Sequence, residues 1–128
     1  MAVIDAMNRW YAAWNAHDVS AIADAISPAG TYFDPTLDSP IDGATTAKHG
    51  ASALFEVYSD AHFEILTLGA TSETTGAAQW LMTGTFKANG KHVANNGAEF
   101  FTYDSETDRL SSVVGYFDIL SARKQTKD

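Results

Sequence analysis

The sequence predicts an α+β fold, in which three N-terminal helices pack against one face of a curved, mostly antiparallel sheet. Three observations carry that expectation. Apolar residues before position 60 recur at helical spacing. From His62 onward the period shifts towards two, the signature of strands. The later strands are joined by short connections, which pair successive strands as an antiparallel meander.

The first helix follows from Val3, Ile4, Met7, Trp10, Tyr11 and Trp14, which form one apolar stripe, with Asp5, Asn8, Arg9 and Asn15 off it. The segment 15–18 breaks this pattern, and Asp18 suits the N-cap of a short second helix. That helix buries Val19, Ile22, Ala23 and Ile26 and stops before Pro28 and Gly30. Residues 31–35 read as a brief strand closed by proline. Ala51, Leu54, Phe55 and Tyr58 lay the stripe of a third helix, which starts after either Gly43 or Gly50. Residues 62–68, 77–87, 92–103 and 110–118 then read as four strands. Asn89-Gly90 is a hairpin signal suited to positive φ at both positions. Residues 71–76 and 104–109 are the other reversals, and Gly97 reads as a bulge.

At 128 residues the chain has the length of one domain, folded over about residues 1–120 with a polar tail at 121–128. Apolar residues make up 45% and charged residues 19%, which suits a packed core and rules out a disordered segment. The absence of cysteine excludes disulfide scaffolds, cysteine-ligated metals and thiol nucleophiles. Eight basic against 16 acidic residues leave a net charge of −8, which repels phosphate backbones and anionic bilayers alike. Neither nucleic acid nor a membrane is therefore an expected partner. The N-terminus lacks a basic start and an unbroken apolar run, so a cytoplasmic setting is expected. His17, His49, His62 and His92 show no metal-ligand spacing, and no serine-elbow, dinucleotide or Walker motif is present. His62 and Glu64 can share a strand face, as an acid–base pair or simply as exposed groups.

Five strings stand in a telling order: W-N-A-H-D at 14–18, Y-F-D-P at 32–35, G-A-S-A-L-F-E-V-Y at 50–58, G-A-E-F-F-T-Y-D at 97–104 and G-Y-F-D at 115–118. With them the chain resembles the SnoaL-like branch of the nuclear transport factor two superfamily. That superfamily also holds ketosteroid isomerase, scytalone dehydratase and limonene epoxide hydrolase. The resemblance implies a cone-shaped sheet curled around a pocket, capped by helices and dimeric through its outer face. It further implies a cofactor-independent isomerase, cyclase or dehydratase-like lyase acting on a small apolar carbonyl compound. A non-catalytic dimeric binding module with the same pocket is the alternative.

Three carboxylates are candidates for the chemistry. Asp34 matches the isomerase's general base, although an aspartate before proline also caps turns. Asp118 matches the acid–base aspartate of SnoaL-like cyclases, or else it ends a strand in solvent. Glu99 falls where the isomerase keeps a protonated acid that donates to the oxyanion. A cross-strand partner for Lys87 or Lys91 is its bland alternative. Trp10, Tyr11, Trp14, Tyr58, Trp80, Met82, Phe101 and Tyr116 are the expected pocket lining. There are departures too. Trp10 stands in register with the isomerase's helix tyrosine, with Tyr11 beside it on another azimuth, which counts against steroid isomerisation. Arg9, Arg109 and Arg123 read as surface, turn and tail, which counts against epoxide opening. Apolar residues alternate onto both sheet faces, Leu81 opposite Trp80 and Phe100 opposite Phe101, so a two-fold homodimer is expected.

Overall fold

The computed structural model describes residues 1–128. It opens with α1 (Ala2–Asn15) and α2 (Val19–Ala25), followed by strand β1 (Ile26–Phe33) and the two-residue β2 (Ile41–Asp42). Helix α3 (Gly43–Thr45) runs into a π-helical turn at Thr46–Gly50 and then into α4 (Ala51–Val57). Four long strands follow: β3 (His62–Ala70), β4 (Thr75–Thr85), β5 (His92–Asp104) and β6 (Arg109–Phe117). The chain ends in α5 (Ile119–Thr126). One six-stranded sheet has the order β2-β1-β6-β5-β4-β3, antiparallel throughout except for the β1–β6 pair.

Helix α1 crosses the concave face and buries Val3, Met7, Trp10, Tyr11 and Trp14, as its stripe requires. Ile22 and Ile26 meet Leu110 and Val113 in the same core, all at 0% exposure. The W-N-A-H-D string docks α1 onto the sheet. The Asn15 amide closes both backbone bonds of Phe63, donating to its carbonyl at 2.9 Å and accepting from its N–H at 2.8 Å. That pairing occupies backbone groups of the edge strand β3 that no further strand covers. His17 takes a left-handed φ of 53°, stacks on Phe55 at 4.1 Å and meets the Ala61 carbonyl through Nε2 at 2.6 Å. Asp18 caps α2 through Ala21 N–H at 3.1 Å.

Several expectations change. Ile26 opens β1 rather than closing α2, and Pro28 is tolerated because the β1–β6 register breaks between Ile26 and Thr31. The third helix starts at Gly43, where Asp42 caps it by accepting from Thr45 N–H at 2.7 Å. Gly50 lies inside the helical run, and the π turn absorbs the extra length. A Cβ on Gly43 would stand 2.1 Å from the Ser27 carbonyl oxygen, so only glycine lets the helix start lie against β1. Of Asn89-Gly90, only Gly90 has positive φ, and the turn is longer than two residues, with Phe86 N–H bonded to the Lys91 carbonyl at 2.7 Å. Gly97 is not a bulge, because its register with Trp80 and Phe117 is regular. It is small so that the Trp80 indole can lie across it, since a Cβ would approach that ring to 2.3 Å. The expected polar tail is largely helix α5, held to β5 by Gln125, which bonds the Ala94 N–H at 2.8 Å and its carbonyl at 2.9 Å. No helix is long and apolar enough to cross a membrane.

Candidate active site

Between α1, the α3–α4 run, α5 and the concave sheet lies a cavity of about 500 Å³. Its walls are mainly apolar, and three charged residues enter them: Asp34, Glu99 and Arg123. The expected lining residues Trp10, Tyr11, Trp14, Tyr58, Trp80 and Met82 are all present. Two are not. Phe101 is buried behind the wall, edge-on to Tyr11 at 5.8 Å. Tyr116 points to the outer face, 52% exposed, because the inward side of β6 is that of Val113, Gly115 and Phe117. The pleat of β6 is thus the reverse of the one expected for Tyr116.

Glu99 comes inward from the middle of β5 and is only 6% exposed. The Tyr11 hydroxyl donates to its Oε1 at 2.7 Å, and no ion pair reaches it, since the single ion pair of the protein is Arg9–Asp108 on the surface. Burial in this apolar wall pushes the Glu99 carboxyl up to about 7. The Tyr11 hydrogen bond opposes that rise, as do the indole N–H groups of Trp80 and Trp10 facing the carboxylate, while the nearby Asp34 charge adds to it. Trp80 Nε1 does not reach hydrogen-bonding geometry and stays buried without a partner, as does Trp14 Nε1. Burial is also the largest cause pushing the Tyr11 phenol up, followed by the Glu99 charge.

Asp34 follows the last residue of β1 and is half-buried. Both of its sequence readings hold at once. Its Oδ1 caps the turn, accepting from Thr36 N–H at 2.8 Å and from the Thr36 hydroxyl, while Oδ2 accepts from the Tyr32 hydroxyl at 2.7 Å. The carboxylate nonetheless lines the cavity. Gly115 separates it from Glu99: a Cβ there would lie 3.4 Å from Glu99 Oε2 and 3.8 Å from Asp34 Cβ. The two acids therefore flank one glycine on the cavity wall. Asp118 does not join them. It is exposed and caps α5 through Ser121 N–H at 2.9 Å. His62 and Glu64 are exposed on β3 and stay outside the cavity.

Sequence reasoning missed Tyr32 and Asn95 as polar groups of the cavity, and named Tyr11 as lining without its bond to Glu99, although each had a signal. Tyr11 lies four residues after Met7 and three before Trp14, so it shares the inward stripe as fully as Trp10 does. Tyr32 stands two residues before Asp34, the strand spacing that puts two side chains on one face. Asn95 stands four residues before Glu99 on the same face of β5, is 5% exposed, and donates to the Asp118 carbonyl at 3.3 Å.

The model of the SnoaL-like domain family matches residues 7–112, most of the chain and every element from the middle of α1 into β6. The chain belongs to the SnoaL-like family. Solved structures agree on the fold. A candidate polyketide cyclase from Xanthomonas campestris pv. campestris superposes with a TM-score of 0.87 at 15% identity, covering 98% of this chain and 97% of its own. A hypothetical protein of ketosteroid isomerase-like fold from Catenulispora acidiphila, in complex with trimethylamine, gives 0.84 at 16% identity, covering 95% and 92%. A nuclear transport factor two-like protein from Burkholderia thailandensis gives 0.84 at 17%, covering 98% and 97%. No curated protein matches this SnoaL-like chain in sequence.

Proposed function

We propose that this SnoaL-like protein is a cofactor-independent isomerase, cyclase or dehydratase-like lyase that moves protons on a small apolar carbonyl compound. The observation that carries the reading is the convergence of two unlike carboxyl groups in one apolar cavity. Asp34, which accepts from three donors, acts as the base and takes a proton from the carbon next to the substrate carbonyl. The electron pair of that C–H bond moves onto the carbonyl oxygen. Glu99, protonated below about pH 7, donates a hydrogen bond to the resulting oxyanion. Its Oε1 is occupied by Tyr11, which leaves Oε2, on the Gly115 side, to carry the proton. The enolate then regains a proton at another carbon, attacks a second carbonyl, or expels a leaving group, which distinguishes isomerase, cyclase and lyase.

Asp118, weighed as a second acid, has no part in this scheme, because its carboxylate serves the α5 cap. The reading also includes a homodimer through the outer sheet face, where Leu66, Phe100 and Tyr116 are 46%, 52% and 52% exposed and Phe100 meets Tyr116 edge-on at 6.2 Å. A second reading, a non-catalytic dimeric binding module, is favoured by one observation: both oxygens of Asp34 already accept hydrogen bonds, Oδ1 within its turn and Oδ2 from Tyr32. Replacing the base separates the two. Asp34→Asn lowers turnover by about 10²-fold or more while the protein still binds its ligand and keeps its circular dichroism. Unchanged turnover in the asparagine variant overturns the role given to Asp34.

A further inference from the structure

The cavity has two polar ends, and the acid–base reading uses only one. Asp34 and Glu99 flank Gly115, whereas the last helix closes the other end with Ile119, Ala122, Arg123 and Thr126. The topology sets these ends apart. Gly115 pairs with Glu99, Phe117 with Gly97, and the chain then leaves β6 to dock α5 against Ala94. Asn95, which holds the Asp118 carbonyl at the start of α5, lies four residues from Glu99, roughly 13 Å along a strand.

Arg123 is the one cation among the lining residues. It is exposed at the rim, and its guanidinium makes no ion pair and no hydrogen bond within the protein. Asp118, five residues before it, has its carboxylate on the Ser121 N–H, and Asp128, five residues after it, accepts from the Asn89 amide. Only Arg9 of the eight basic residues makes an ion pair, so what sets Arg123 apart is its place: it alone brings a guanidinium to the apolar cavity. Its planar fork of donors suits an oxyanion with two oxygens.

We propose that Arg123 is a specificity-determining residue for an anionic ligand: the molecule bound here is elongated and apolar, with its reacting carbonyl at Asp34 and Glu99 and a carboxylate-like group at the opposite end, held by Arg123. The inference rests on the reading of this cavity as the ligand site. It narrows the substrate class to amphipathic acids, and it gives α5 a role in selecting ligands as well as in closing the cavity.

Two fluorescent probes that differ by a single anionic group test it. 8-Anilino-1-naphthalenesulfonate and its uncharged parent N-phenyl-1-naphthylamine are titrated into the full chain, with energy transfer from the cavity tryptophans as the signal. Each probe is also used to displace the other. In Arg123→Gln the Kd of the sulfonate rises about tenfold while that of the parent stays unchanged, and Arg123→Lys recovers part of the loss. Because Arg123 is exposed on the last helix, these variants leave the core intact. Equal effects on both probes, or none on the sulfonate, overturn the assignment to Arg123 and leave the cavity reading standing. If neither probe binds, or the two do not compete, the cavity reading falls and this proposal with it.

Discussion

A buried acid with no cation beside it dominates the chemistry at the scale of single residues. Glu99 is held near 7, whereas in the unfolded chain it titrates near the ordinary glutamate value. The folded state thus retains a proton that the unfolded state releases. Stability from this group is complete below about pH 4.5 and declines as pH rises through about 7, by roughly 3 kcal/mol in all. Glu99→Gln, which cannot ionise, removes that decline. Urea titrations at pH 5 and pH 8 should show the wild type losing stability between them and the variant holding nearly level. The proposed activity carries the same sign, because only the protonated form donates to an oxyanion, so turnover should fall as pH rises through about 7. Tyr11→Phe deletes a bond that favours the carboxylate, and the falling limb of that pH profile then moves to higher pH.

At the scale of elements, the period-two run after His62 was legible to within two residues at each strand end, because alternation of buried and exposed positions is strong along β4 and β5. The helices were less so. The start at Gly43 turns on a contact with Ser27 on another element, which no local pattern reveals. Helix α5 has a weak stripe and no fully buried residue, so its polar sequence reads as a tail. It forms because Asp118 caps it, Gln125 binds β5, and Asn89 donates to the Thr126 carbonyl at 2.8 Å. The site was legible in part: Asp34 and Glu99, two of the three acids the motifs single out, line the cavity, while the reversed face of β6 removes Tyr116 and leaves Asp118 to the cap. Asp118→Ala should cost roughly 1 kcal/mol and speed amide exchange in α5. It should leave proton transfer intact, whereas an acid–base role would abolish it. Gly97→Ala forces the Trp80 ring to move, and thermal melts should show a loss of about 1–3 kcal/mol, as for an overpacked core.

For the whole molecule, the helices cover one face of the sheet and leave Leu66, Phe100 and Tyr116 on the other. The proposed dimer through that face would cover them, and light scattering at micromolar concentration should then give twice the chain mass. Phe100→Glu should halve it, and a wild-type monomer would contradict the assembly. The central claim is that the cavity transfers a proton between Asp34 and a carbon acid while Glu99 holds the oxyanion. The most direct measurement of it needs no knowledge of the natural substrate. 2-Tetralone, an apolar bicyclic ketone, is incubated with the protein in D2O at pD 6, and deuterium entering the carbon next to its carbonyl is followed by NMR. The account predicts exchange well above the buffer rate, lowered about 10²-fold or more in Asp34→Asn with tetralone still bound. Exchange at the buffer rate with tetralone bound, or the same rate in wild type and variant, would contradict it.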